Sequence, residues 1–223
     1  MLNNLDGAAF SSATGTIALS ATQTLTGNPG ATSGDLFSAV TNTTVGVVGG
    51  DGSALPAVAV SSNRLQASTV GNESSRVLNN LSGSFNAATT SVTANDVQTT
   101  DTAVLTARVA DSNIGGNLFS DAAIPTSVSV NGNAVVAQAI ANSSNQQVRL
   151  NGVSTTGGQL TSLNAGQSLL NTSVTASISS VTLGLNTAGL ATPGSFTGAA
   201  VSSGNSLSAS AIGNQSSLVR SGR

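Results

Sequence analysis

Three copies of one ten-residue segment constrain this 223-residue chain more than any other feature. NRLQASTVGN begins at Asn63, NAVVAQAIAN at Asn133 and NSLSASAIGN at Asn205, so the starts lie 70 and 72 residues apart. Self-similarity at a nearly fixed period is typical of proteins that stack one structural unit on the next.

Three further landmarks recur in the same order. They are LNNL or LNGV at 2, 78 and 150, a phenylalanine in mid-unit at Phe37, Phe119 and Phe196, and an arginine near the unit end at Arg76, Arg149 and Arg220. Together with the decamers they predict one elongated domain over 1–223, with three units of about 72 residues each at 2–77, 78–149 and 150–223. We expect each phenylalanine to anchor the packing of its unit.

Two further sequence features bear on the internal organisation of these three units. The segments 15–23, 103–113 and 173–181 alternate like the decamer, which predicts six half-units. The segment 45–60 contains GGDG and a proline, so it reads as an insertion in the first unit with a loop between short strands.

The decamer itself predicts a β-strand. Leu65, Ala67 and Thr69 alternate with polar residues, and period two places one set on the inner face. Asparagine tolerates turns and lies at both ends of every copy, which predicts corners. Stacked copies would place Asn63 on Asn133 and Asn205 in an amide ladder. The alternative is that these asparagines only form turns.

Composition favours the same fold class. Only 6% of residues are charged and 2% aromatic, while 39% are hydrophobic, mostly small. Main-chain hydrogen bonds of about 1 kcal/mol each must then act together with closely stacked small side chains. Helix formers are scarce, and only 78–88 could hold a helical turn. We therefore predict an all-β fold, a repeat-built β-solenoid or stacked-strand array.

The chemistry of the chain excludes several classes of function. Six arginines against eight acidic residues, with few aromatics, argue against nucleic-acid binding. No apolar run is long enough for a membrane span, and no signal peptide is visible in the first residues. Histidine, cysteine and lysine are absent. We predict no enzyme, no catalytic residue, no cofactor and no metal site.

Acidic residues are the remaining side chains of the sequence that could form a site. Asp96, Asp101 and Asp111 lie close together in sequence, and Glu73 is the only glutamate. Without a spacing signature they are interpreted as solvated turn residues. GGDG at 49–52 occurs once, whereas calcium-binding nonapeptides come in tandem, so it is interpreted as a loop.

The strings ASAIGNQSS and SSNQQVRLNGV resemble the strands of curli-type bacterial fibre subunits and repeat segments of holdfast-anchor surface proteins. The likeness covers 63–80, 133–152 and 205–220. Curli repeats are shorter and richer in aromatics than those of this chain. The resemblance implies export, strand stacking and self-assembly into a fibre.

These observations predict a structural subunit of an extracellular filament, matrix or surface layer, located outside the cell or on its surface. NESSRV runs into LNNL at Leu78, and QQVR into LNGV at Leu150, which predicts that copies join head to tail. The partner would be the protein itself, with cell-surface components or glycans as further candidates. The alternative is a monomeric adhesin or phage-fibre module that binds through a side face.

Overall fold

A computed structural model describes residues 2–6, 9–11, 16–28, 34–49, 57–85, 90–118, 127–155, 159–186 and 199–221. These residues form fifteen strands and contain no helix. The strands are β1 (Leu2–Asp6), β2 (Ala9–Ser11), β3 (Thr16–Thr26), β4 (Leu36–Thr41), β5 (Thr44–Gly49), β6 (Ala57–Ser61), β7 (Arg64–Phe85), β8 (Thr90–Asp101), β9 (Val104–Leu118), β10 (Ser127–Asn131), β11 (Ala134–Thr155), β12 (Gln159–Leu170), β13 (Ser173–Asn186), β14 (Ala199–Ser203) and β15 (Ser206–Ser221). The all-β prediction is confirmed.

The strands form four parallel sheets. Sheet A has the order β1-β7-β11-β15, with β2 also on β7; sheet B is β3-β8-β12; sheet C is β4-β9-β13, with β5 also on β9; sheet D is β6-β10-β14. The chain passes through A, B, C and D and then returns to A. We call each circuit a layer: β1–β6, then β7–β10, then β11–β14, with β15 beginning a fourth. We call the side of the first layer the early edge, and the side of β12–β15 the late edge.

The decamers pair as predicted. Ala134 lies opposite Arg64 on one side and Ser206 on the other, which reproduces the offsets of 70 and 72 residues. Asn63, Asn133 and Asn205 precede their strands at the corner between sheets D and A. Asn72 lies inside β7 instead, so the second predicted corner does not end the strand. There the buried set changes from Leu65, Ala67 and Thr69 to Asn72, Ser74 and Arg76, which marks a bend in a continuous strand.

The other landmarks do not coincide in the sheets. Leu5, not Leu2, pairs with Leu78, and Leu78 in turn pairs with Val148 rather than Leu150. Arg76 pairs with Gln146, so Arg149 and Arg220 hold other register positions. These short matches reflect biased composition more than structural equivalence.

The phenylalanine and half-unit predictions are also wrong where the structure describes them. Phe37 points outward and is 59% exposed, so it anchors no core; Phe119 and Phe196 lie outside the described residues. The segment 15–23 belongs mainly to sheet B, whereas 103–113 and 173–181 lie in sheet C. The half-unit alignment therefore matched strands of different sheets.

Two loop and turn predictions can be compared with the strands. Residues 78–85 continue β7 as strand, paired with β1, β2 and β11, and Leu78 packs inward at 1% exposure, so the helical turn is wrong there. The short strands predicted within 45–60 exist, but they pair with β9 and β10, which argues against an insertion. Residues 50–56 and 86–88 lie outside the described residues.

The core is divided into an apolar and a polar part. Small aliphatic side chains of sheets A, C and D fill one part: Val60, Leu65, Ala67, Ala107, Val109, Ile114, Val135, Ala137 and Ala139. Buried polar side chains of sheets A and B fill the other: Asn72, Ser74, Arg76, Asp96, Gln98, Thr100, Asn142, Ser144 and Gln146. Burial of hydrogen-bonding groups on this scale requires that most of them pair with one another, and only single atoms of Arg76, Asp96, Ser144 and Gln146 in this set have no hydrogen-bond partner among the described residues.

Left-handed residues stack at the corners. The aligned sets are Thr102 and Asn171 (φ 54° and 47°), Asn42, Asp111 and Ser180 (φ 51°, 49° and 51°), and Ser62, Gly132 and Gly204 (φ 59°, 64° and 63°). Glycine, asparagine and aspartate are the types that tolerate this region, whereas the β-branched Thr102 is an outlier in it. The repeated conformation lets each layer follow the path of the one before it.

Candidate functional site

The asparagines that precede the decamer strands form a directional ladder. Asn63 Nδ2 donates to Asn133 Oδ1 at 3.0 Å, and Asn133 Nδ2 donates to Asn205 Oδ1 at 3.0 Å. The main-chain N–H groups of Asn63 and Asn133 donate to the same two oxygens at 2.9 Å. Each amide oxygen therefore faces the early edge, and the main-chain donors fix that orientation. The ladder interpretation is confirmed, and these residues also form the corner.

A second asparagine ladder runs in the same direction inside the polar core. Asn72 Nδ2 donates to Asn142 Oδ1 at 2.9 Å, and Asn142 Nδ2 donates to Asn214 Oδ1 at 2.8 Å. Asn142 Nδ2 also donates to the Ser168 carbonyl at 3.0 Å, while its oxygen accepts from Thr100 Oγ1 at 2.8 Å. The Asn142 amide is thus satisfied at both ends, although the residue is fully buried.

A glutamine ladder runs in the opposite direction through sheet B. Gln167 Nε2 donates to Gln98 Oε1, and Gln98 Nε2 donates to Gln23 Oε1, both at 2.8 Å. Each of the three amides also donates to a main-chain carbonyl of sheet A. The ladders consequently give the two edges different hydrogen-bonding character. Sequence analysis missed the glutamines because their spacing follows sheet B, not the decamer.

One predicted turn residue is buried in an ion pair. Asp96 Oδ1 lies 3.2 Å from Arg76 Nη2, and both side chains are 0% exposed. The interpretation of Asp96 as solvated is therefore wrong, because alternation in β8 places it inward. In the next layer, Gln146 and Ala165 hold the corresponding positions. This buried ion pair therefore belongs to the second layer and is not repeated in the third.

The remaining acidic candidates are scattered. Asp111 is exposed at a left-handed corner, as predicted for a turn residue. Asp101 adjoins the Thr102 corner, and Glu73 is exposed on β7. Within the described part of the chain, no three acidic side chains are grouped so that they could hold a metal ion. Of GGDG, only Gly49 is described.

Asp35 is a structural carboxylate that sequence analysis did not single out. Its Oδ1 accepts from the Asn28 N–H at 2.7 Å and its Oδ2 from the Val104 N–H at 2.8 Å. These main-chain donors, Asn28 first, lower the pKa of Asp35 below its ordinary value of 3.8. Asp35 thereby ties the start of β4 to the next layer.

The late edge exposes side chains that point into the core. Leu207 is 54% exposed, whereas its register partners Val135 and Leu65 are 0% and 8% exposed. Leu218 holds another inward position and is also exposed. An open apolar pocket beside Gly184 is lined by Val128, Val130, Ala200, Val201 and Ser202. The described strands at this edge have a partner strand on one side only.

Comparisons with family models, with curated proteins and with solved structures gave no match. Among the described residues, we find no helix whose length and apolar character would let it cross a membrane. Function is therefore inferred from the geometry of the strands and their edges.

Proposed function

We propose that this protein is a structural subunit that assembles head to tail by stacking its layers, and that each chain is a β-solenoid of three repeat units. The observation that carries the proposal is the late edge. Inward residues such as Leu207 are exposed there, although the same register positions are buried one and two layers away. Burying such side chains gains roughly 1.5–3 kcal/mol each.

The amide ladders support a contact with one direction. Asn205 and Asn214 have their side-chain nitrogens at the late edge, while the direction of the ladders turns the oxygens of Asn63 and Asn72 toward the early edge. Asn205 Nδ2 donates to the Val130 carbonyl and to Ser202 Oγ, both at 2.8 Å, so the next copy would take the place of Ser202. Asn214 Nδ2 donates to the Gln167 carbonyl at 3.4 Å. Gln167 and Gln23 supply the reverse pair, with an oxygen late and a nitrogen early. A second copy stacked in the same sense would meet donors with acceptors in all three ladders, once residues 2–5 of that copy replace residues 217–220 of β15, which hold the same register positions. A contact between different surfaces propagates into a filament when it does not close into a ring.

The surface offers few of the features that normally blunt strand edges. Natural edges often carry lysine, proline or inward charges, and the sequence has no lysine. The resemblance to curli-type and holdfast-anchor proteins adds the location of the proposed assembly, outside the cell or on its surface. It also makes matrix and biofilm the expected setting.

Assembly of the purified protein tests the proposal. We expect light scattering to rise above a threshold concentration, and negative-stain electron microscopy to show unbranched filaments one subunit wide. A protein that stays monomeric at high concentration would contradict assembly and favour the monomeric binding module.

A further inference from the structure

A column of glycines shows where layers touch through the main chain. Gly46, Gly115 and Gly184 occupy one register position in sheet C, at φ 133°, 141° and 155°. A Cβ on Gly46 would lie 2.5 Å from the Gly115 carbonyl oxygen, and one on Gly115 would overlap the Gly184 carbonyl. The main chain of the next layer thus requires glycine at the first two positions.

Gly184 keeps this conformation without such a neighbour. No atom of the described residues lies within 4 Å of a Cβ placed on it. In earlier layers a valine methyl from sheet D also approaches the glycine, Val60 at Gly46 and Val130 at Gly115. In the third layer Ser202 replaces that valine and Ala200 replaces Val128, which opens the apolar pocket beside Gly184.

We propose that this part of the late edge is a seat for β5 and β6 of a second copy. The main chain at Gly46 would lie over Gly184, and Val58 and Val60 would stack over Ala200 and Ser202. The inference rests on the proposed head-to-tail assembly and specifies its contact. A second copy fits because β5 and β6 are the early-edge strands of the same glycine and valine columns, so the seat continues a contact that already joins the layers.

The ladders favour the parallel arrangement of the two copies over the reversed one. Two late edges facing one another would bring antiparallel strands together and set the nitrogens of Asn205 and Asn214 against like groups. Parallel stacking instead offers them the oxygens of Asn63 and Asn72. The occupant of the seat is therefore the early edge.

Gly184→Ala tests the seat. Its methyl group meets no described atom within the chain but would overlap the Gly46 main chain of the next copy. We expect a folded monomer by circular dichroism and a critical concentration for assembly raised at least about tenfold, the change that 1.4 kcal/mol produces. Gly132→Ala controls for a methyl group at a positive-φ glycine away from the late edge, because its Cβ would also meet nothing within 4 Å. Its φ of 64° lies in the left-handed region that alanine can adopt, whereas φ 155° at Gly184 strains any Cβ, so the second variant below carries the comparison free of backbone strain.

Mixing tests the direction of the contact. Gly184→Ala keeps its early edge, so it should join the late end of wild-type filaments and stop growth, giving shorter filaments at substoichiometric amounts. A symmetrical late-to-late contact would close into a dimer and give no filament, so filaments whose length does not respond to the variant would overturn the head-to-tail seat.

A second variant avoids glycine strain. Ala200→Lys places an inward charge at the exposed late edge, which should suppress assembly without unfolding the monomer; Ala199→Lys changes the outward-facing neighbour and should not. Absence of assembly in the wild type overturns the proposed function. Normal critical concentrations for both Gly184→Ala and Ala200→Lys, with filaments in the wild type, overturn only the seat.

Discussion

At the residue scale, the buried ion pair is the least expected feature of a chain with so few charges. Arg76 Nη1 donates to Ser74 Oγ at 3.3 Å, and Nη2 contacts Asp96. A buried pair adds little net stability, because desolvation offsets attraction, but removal of one partner leaves an uncompensated charge. The neighbouring layer fills the same positions with Gln146 and Ala165 and needs no ions.

Asp96→Ala should therefore destabilise the fold by about 3–5 kcal/mol, since it strands the Arg76 guanidinium in the core. The double variant Arg76→Gln/Asp96→Ala copies the next layer, where Gln146 Nε2 donates to the Asn164 carbonyl at 2.6 Å. We expect it to recover more than half of the loss, as measured by denaturant unfolding of the monomer. A double variant no more stable than Asp96→Ala would contradict this account.

Asp35 predicts a pH dependence. Its pKa is lower in the folded protein, so its ionised form contributes stability above pH 3.8, and that contribution is lost as the pH falls through the folded pKa. Asp35→Asn cannot ionise, and its amide presents only one acceptor to the two N–H donors. We expect wild type to exceed the variant in unfolding free energy at pH 7, with the gap narrowing below pH 3.8. If the difference in unfolding free energy between wild type and variant stayed the same at the lowest pH, the hydrogen-bonding shape of the side chain, and not its charge, would account for it.

At the element scale, the amide ladders bind strands of neighbouring layers in one register. A slip of one residue would exchange inward and outward faces and would separate every amide from its partner. The asparagines at the corner have a second role, because the side-chain oxygens of Asn133 and Asn205 also accept main-chain N–H groups. Register in this chain of small side chains is thus specified largely by polar groups.

Asn142→Ala should be strongly destabilising. It removes two bonds made by Nδ2 and two accepted by Oδ1, and at about 1 kcal/mol net each the loss is about 3 kcal/mol or more. Asn145→Ala is the control on the same strand, because Asn145 is exposed and surface substitutions usually change stability by less than about 0.5 kcal/mol. Equal unfolding free energies for the two variants would refute a stabilising ladder.

The elements that sequence analysis recovered are those with a strong, local and repeated signal. The decamer gave strand, corner and register because alternation and asparagine coincide there. The half-unit prediction aligned a strand of sheet B with strands of sheet C, because 15–23 and 103–113 share the alternating pattern but pair with different strands. The inward position of Asp96 and the glutamine column depend on which strands meet, and that information is spread over about 70 residues. The glycine column and the late edge required the three-dimensional structure.

At the scale of the whole molecule, the layers place the hydrogen bonds of all four sheets along one direction. If a contact between copies continued these hydrogen bonds, the direction of the bonds would be the filament axis. The strands would lie across the axis, about 4.8 Å apart. A bundle of strands running along the filament would instead diffract at this spacing on the equator.

This geometry predicts the mass of the filament per unit length. Sheets B, C and D each contain three strands, and β15 of sheet A would share its layer with β1 of the next copy, so one copy advances the axis by about 14 Å at the usual strand spacing. With a chain mass of 21.5 kDa, a single filament should weigh about 1.5 kDa per Å. Scanning transmission electron microscopy measures this quantity directly, and fibre diffraction should give a meridional reflection near 4.8 Å. Twice that mass would indicate paired filaments with the same stacking, whereas an equatorial 4.8 Å reflection would exclude stacking of layers as the means of growth.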